Sequence, residues 1–121
     1  MTNDVNAWMD LYLQAWTSNE PDDIRAMFTE DAVYYDRPNT GTPWNGHEEI
    51  VQHWSGDSAD KPEDWTFEWT LLGEDGDTAF VQGLTTYLNG DPTYDNLWVI
   101  RFAEDGRARE FTEWYMARKH N

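Results

Sequence analysis

The apolar residues of this chain keep two different periods, and the change between them limits the folds open to it. Val5, Trp8, Met9, Tyr12, Leu13 and Trp16 fall at i, i+3, i+4, i+7, i+8 and i+11, the stripe of an amphipathic helix. Beyond Glu63 the period becomes two: Trp65, Phe67, Trp69 and Leu71 alternate with Thr66, Glu68 and Thr70, as on a strand with one covered face. A helical half followed by a stranded half predicts an α+β domain in which a sheet folds back over helices.

Turn chemistry divides the two halves further. Pro21 suits a first helical turn, and Ile24, Met27 and Phe28 form one face of a short second helix ending near Thr29. A strand from Ala32 to Asp36 follows, then a turn-rich loop from Arg37 to Pro43. Asn45-Gly46 opens a third helix with Glu48 and Glu49 at its positive end, Ile50, Val51 and Trp54 as its apolar face, and Gly56 as its stop. A polar loop fills 57–63. Turns at Glu74 to Asp77, Asn89 to Pro92 and Glu104 to Gly106 link the strand at Trp65 to strands over Thr78–Leu88, Asp95–Ala103 and Arg107–Arg118, an antiparallel meander. The 121 residues suit one domain, with no repeat or linker.

Composition narrows the function. With 24 acidic against 8 basic residues the net charge is −16, which repels nucleic acid and anionic lipid and disfavours a polyanionic ligand. Cysteine is absent, which removes disulfides and thiolate chemistry. The three histidines lack metal-ligand spacing, and neither a phosphate-binding glycine loop nor a GxSxG nucleophile turn is present, so no metal or cofactor is expected. A polar, acidic start and no apolar run near ~18 residues predict a cytoplasmic protein that does not enter the membrane. Eight Trp, six Tyr and five Phe require a large core or a lined cavity.

The segments Met27 to Asp36, Gly46-His47-Glu48-Glu49-Ile50, Asn96 to Phe102 and Asp105 to Trp114, taken in this order, resemble the SnoaL-like group of the nuclear transport factor superfamily. The resemblance covers nearly the whole chain. It implies a cone: a curved antiparallel sheet wrapped around three N-terminal helices, with a pocket inside and commonly a homodimer through the outer sheet face. The superfamily includes isomerases, cyclases, dehydratases and association modules, so the resemblance specifies fold more closely than activity. Ketosteroid isomerase, of the same fold, uses an Asp base with a Tyr and a protonated Asp as oxyanion donors. By position Tyr12 matches that Tyr and Asp36 that base, but Trp98 stands where the second acid would be, and an indole only donates a hydrogen bond. Epoxide hydrolysis on this fold needs an Asp-Arg-Asp set inside the cone, whereas Arg101 alternates with Trp98, Ile100 and Phe102 and is expected to point outward.

Each candidate has a plain structural alternative. Asp36 is either a base whose pKa is raised among aromatic rings or a turn-forming Asp ahead of Arg37-Pro38. Tyr12 is either an oxyanion donor or core packing, and His53 is either at the pocket mouth or a surface histidine without a role. Glu113 points inward if Phe111, Glu113 and Tyr115 form the inner face of the last strand, and outward if Glu110, Thr112 and Trp114 do. The rings of Trp16, Tyr35, Trp54, Trp65, Trp69, Trp98, Phe102, Phe111 and Tyr115 are expected either to line the cavity or to fill the core. Two functions follow: a cofactor-independent isomerase, cyclase or dehydratase acting by proton transfer on a small apolar, carbonyl-containing or polyketide-like compound, or a non-catalytic ligand-binding or dimeric association domain.

Overall fold

The computed structural model describes residues 4–54, 65–88 and 93–118. The expected stop at Gly56, the loop 57–63 and the turn Asn89 to Pro92 lie outside the described residues. Helix α1 (Val5–Ser18) starts on Asp4, whose carboxylate accepts the Ala7 N–H at 2.9 Å. It ends at Asn19, left-handed at φ 54°, whose own N–H reaches the Ala15 carbonyl at 2.7 Å. Val5, Trp8, Met9, Tyr12 and Ala15 form its buried face.

Helix α2 (Pro21–Arg25) is shorter than its apolar spacing predicts. Phe28 leaves the helix to begin β1 (Phe28–Tyr35), because it pairs with Ala108 of the last strand, whose N–H donates to the Met27 carbonyl at 2.7 Å. A long-range ladder here overrides a local helical pattern. After the loop expected over Arg37 to Pro43 comes a short strand, β2 (Trp44–Asn45), paired with Val33 and Tyr34, so that Asn45, expected to open the third helix, belongs to a strand. Helix α3 (His47–Trp54) follows, then β3 (Trp65–Asp75), β4 (Thr78–Tyr87), β5 (Tyr94–Phe102) and β6 (Ala108–Ala117).

The strands form one open, curved sheet in the order β2-β1-β6-β5-β4-β3. The expected meander is present, yet β1 and β6 run parallel, so the sheet is mixed and not wholly antiparallel. Parallel neighbours need a long connection, and α3 with the meander supplies it. In the β3–β4 hairpin Asp75 faces Thr78, which leaves Gly76-Asp77 as a two-residue turn with Gly76 at φ 61°, a conformation glycine adopts without penalty. Arg101 is exposed and pairs with Glu110 at 2.9 Å on the outer face. No helix among the described residues is long and apolar enough to cross a membrane.

The core lies between α1 and the concave face. Trp8 is 1 % exposed; its indole N–H donates to the Met27 carbonyl at 3.0 Å, and its ring lies 6.0–6.1 Å from Phe28, Phe102 and Phe111. Beside this core, Phe67 lies across Gly83 and stacks on Trp98 at 5.1 Å and 13°. A Cβ at Gly83 would sit 2.5 Å from the Phe67 ring, so glycine is required there for space. Gly83→Ala is expected to push Phe67 off Trp98 and to destabilise the domain by ~1–3 kcal/mol in urea unfolding, with a changed near-UV tryptophan spectrum. An unchanged midpoint would mean that the ring moves aside freely.

Candidate functional site

Alternation along β4, β5 and β6 turns one row of side chains toward the helices: Thr85 and Tyr87, Tyr94, Asn96 and Trp98, and Phe111, Glu113 and Tyr115. Of the two faces open for the last strand, the one carrying Glu113 therefore points inward. With Tyr12, Trp16 and Asn19 from α1 and its cap, Tyr34 and Trp44 from β1 and β2, and His53 and Trp54 from α3, these strands line a cavity of about 430 Å³ that is open to solvent at its mouth.

Its polar centre is Glu113. Trp98 stands directly opposite Glu113 in the β5–β6 register, and its indole N–H donates to Glu113 Oε2 at 2.9 Å. Asn96 Nδ2 donates to the same oxygen at 3.2 Å, while Asn96 Oδ1 accepts the Thr85 hydroxyl at 2.8 Å. The Thr85 bond fixes which way the amide faces, so Asn96 presents its donor to the carboxyl. Oε2 takes both bonds, and among the described residues no hydrogen bond reaches Oε1. Glu113 keeps some accessible surface because it borders the cavity, but protein surrounds it otherwise. Desolvation pushes its pKa up to about 7; the Trp98 and Asn96 bonds pull the other way, and the charge of Asp36 adds a smaller upward push.

The second polar element is a pair of tyrosines. Burial raises the pKa of both Tyr12 and Tyr34, and the nearby Glu113 charge reinforces the rise. Both residues line the cavity, Tyr12 from α1 and Tyr34 from β1, so each phenol is held protonated at its wall. Phe111 stacks against Tyr34 at 4.6 Å, and Trp44 lies between Tyr34 at 4.4 Å and His53 at 4.5 Å. This stack holds the Tyr34 ring in place.

The candidates named from the sequence divide accordingly. Tyr12, His53, Glu113, Trp16, Trp54, Trp98 and Tyr115 line the cavity. Asp36 does not: it follows the last residue of β1, half-buried, and acts on Tyr34 and Glu113 only through its charge. Tyr35 also lies outside the lining, because adjacent strand residues face opposite ways and Tyr34 takes the inner side. Trp65 stacks behind Trp16 at 3.8 Å and 13° and is walled off by it. Phe102 and Phe111 belong to the buried core, and Trp69 packs against that core further along β3. Tyr34, Trp44, Thr85, Tyr87, Tyr94, Asn96 and Asn19 are lining residues that the sequence reading missed. Parity offered a signal for two of them. Tyr34 shares a face with Asp36, and Asn96 with Trp98. Among the described residues no group of three or more His, Asp or Glu side chains converges as a metal site requires.

Comparison with solved structures places this geometry among known folds. The chain is similar to an NTF-2-like protein of unknown function from Burkholderia xenovorans LB400, at 18 % identity and TM-score 0.74, covering 97 % of this chain and 86 % of that one. It is similar to a steroid delta-isomerase from Pseudomonas aeruginosa, at 16 % identity and TM-score 0.64, covering 92 % and 78 %. A candidate polyketide cyclase from Sinorhizobium meliloti matches at 22 % identity and TM-score 0.67, covering 89 % and 94 %. At such identities the likeness concerns the fold alone. No curated protein matches the chain in sequence. The model of the SnoaL-like domain matches residues 9–111, and the chain therefore belongs to the SnoaL-like domain family.

Proposed function

We propose that the protein is a cofactor-independent isomerase or cyclase that moves a proton on a small, mainly apolar carbonyl compound, with Glu113 as the group that takes and returns the proton. The observation that carries this reading is the asymmetry of the Glu113 carboxyl: Oε2 is held by Trp98 and Asn96, while Oε1, in a residue that borders the cavity, takes no hydrogen bond from the described residues. When Glu113 is neutral its proton belongs on Oε1, since Oε2 already accepts two bonds. A pKa of about 7 keeps both forms populated near neutrality, as a group that alternates between base and acid requires.

In the proposed step Glu113 Oε1 removes a proton from the carbon next to the carbonyl, and the electron pair moves onto the carbonyl oxygen. The Tyr34 hydroxyl, protonated in its buried setting, donates to that enolate oxygen. Return of the proton from Glu113 to another carbon completes an isomerisation; attack of the enolate carbon on a second carbonyl of the same molecule, whose π pair moves onto its oxygen and takes the Glu113 proton, completes a cyclisation. Glu113 thus supplies the carboxyl that Trp98 lacks, one strand across from it. The steroid delta-isomerase and candidate polyketide cyclase among similar structures are consistent with this chemistry. Leu84, Leu97, Val99 and Trp114, half-buried on the outer sheet face, support association of two copies through that face. Sedimentation at micromolar concentration should then give twice the 14.2 kDa of one chain, and a single-chain mass refutes the dimer.

Exchange of α-protons of bicyclic aromatic ketones in D₂O, followed by NMR, tests the reaction. The wild type should accelerate exchange, with a rate that rises through about pH 7 as Glu113 becomes the base. Glu113→Gln should lower that rate ~100-fold or more, and Tyr34→Phe ~10-fold or more. No acceleration over buffer across the panel, or an unaltered rate in Glu113→Gln, contradicts the assignment. The same group should mark stability. Glu113 holds its proton more tightly folded than unfolded, so its contribution is fully present below its ordinary value of 4.5 and is lost as pH rises through about 7. Urea unfolding should show a loss of at most ~3 kcal/mol over that window, flattened in Glu113→Gln.

A further inference from the structure

Resting on the reading of this cavity as the binding site, we propose that its ligand carries a positively charged nitrogen, a substituted ammonium within an otherwise apolar skeleton, with Glu113 as its counter-ion. Glu113 has no cationic partner among the described residues. Both of its hydrogen bonds come from neutral donors, an indole and an amide, and no Lys or Arg lines the cavity among the described residues. The arginines whose ion pairs are described face elsewhere: Arg25 holds Asp22 and Glu48, Arg101 holds Glu110, Arg107 holds Asp105, Arg109 holds Asp77 and Arg118 holds Asp95. An enclosed carboxylate without a cation is costly, and either a proton or a cationic ligand removes that cost.

The walls point the same way. Rings line the cavity that Glu113 borders, among them Trp16, Trp54, Tyr87, Tyr94 and Tyr115. Indole and phenol rings attract cations through their electron-rich faces, so a cation that loses its water here is compensated by ring quadrupoles as well as by Glu113. The whole chain adds a field of the same sense, since −16 concentrates cations around the protein and repels carboxylates and phosphates. A cavity of about 430 Å³ leaves room for an ammonium group and a ring system together. An ammonium beside Glu113 would also favour its ionised form, the form the proposed proton abstraction needs.

Benzyltrimethylammonium and neopentylbenzene test this directly, because they differ only in N⁺ against C. Binding near pH 8 would be followed by the indole N–H resonance of Trp98 and by tryptophan fluorescence. The expected result is ~10-fold or more tighter binding of the cation by the wild type, with the preference lost in Glu113→Gln, whose amide oxygen still accepts from Trp98. Equal or tighter binding of neopentylbenzene overturns the charge inference and leaves the proton-transfer reading to the exchange experiment. A cation preference that persists in Glu113→Gln overturns the counter-ion role. If neither probe shifts the Trp98 resonance, the cavity reading fails with it. Should Glu113→Gln not fold, the two probes on the wild type decide alone.

Discussion

The bond from the Trp98 indole to Glu113, 2.9 Å across the β5–β6 ladder, is the contact on which the rest of the cavity depends. It requires the register that sets residue 98 opposite residue 113, and a one-residue slip of β6 would turn Glu113 to the outer face while Trp98 stayed inside. It also fixes which carboxyl oxygen is occupied. Asn96 completes that arrangement from two residues along β5, with its amide turned the right way by Thr85 from β4. Three adjacent strands thus hold one carboxyl by its Oε2, and no other described residue bonds its Oε1. A tryptophan where an acid would serve as oxyanion donor is no defect in this arrangement, because its N–H anchors the acid on the neighbouring strand.

The aromatic residues account for both the packing and the opening. Trp8, Phe28, Phe102 and Phe111 meet edge-on or stacked in the closed part of the core, where no polar group other than the Trp8 N–H needs a partner. Toward the mouth the rings become tyrosines and tryptophans that offer a polar tip along with an apolar body. Tyr12 belongs to both regions, packed against Trp98 at 4.4 Å and forming part of the cavity wall. Flat stacks such as Phe67 on Trp98 over Gly83, and Trp44 between Tyr34 and His53, leave these walls little room to collapse inward. Packing of this kind keeps a site open before any ligand enters.

How much of this the sequence carried depended on the range of the interactions concerned. The α1 stripe and the two described hairpin turns are local patterns, and they were legible. The end of α2 was not, because Phe28 belongs to a strand only by pairing with Ala108, eighty residues further on. The parallel β1–β6 contact was hidden for the same reason: no turn joins those strands. Within the site, Tyr12 and Trp98 line the cavity from elements whose inner faces the apolar spacing indicates, whereas the face of the last strand that carries Glu113 is open in the sequence and is decided by pairing with β5. Tyr34 was passed over for Tyr35 although residues 34 and 36 must share a side. Asp36 falls short of the lining because the strand ends at Tyr35 and the chain turns away, which no alternation pattern encodes. The Thr85–Asn96–Glu113 chain spans three strands and could be assembled only once the register was known.

The account stands on Glu113 being an enclosed carboxyl that changes protonation near neutral pH. Labelling the glutamate side chains with ¹³C and following the Glu113 carboxyl resonance, assigned through Glu113→Gln, would measure this without any assumption about ligand or reaction. The account predicts a single titration centred at about 7, well above the remaining glutamates. A midpoint at the ordinary value near 4.5 would contradict it, since Glu113 would then be an exposed, fully ionised carboxylate with no proton to exchange.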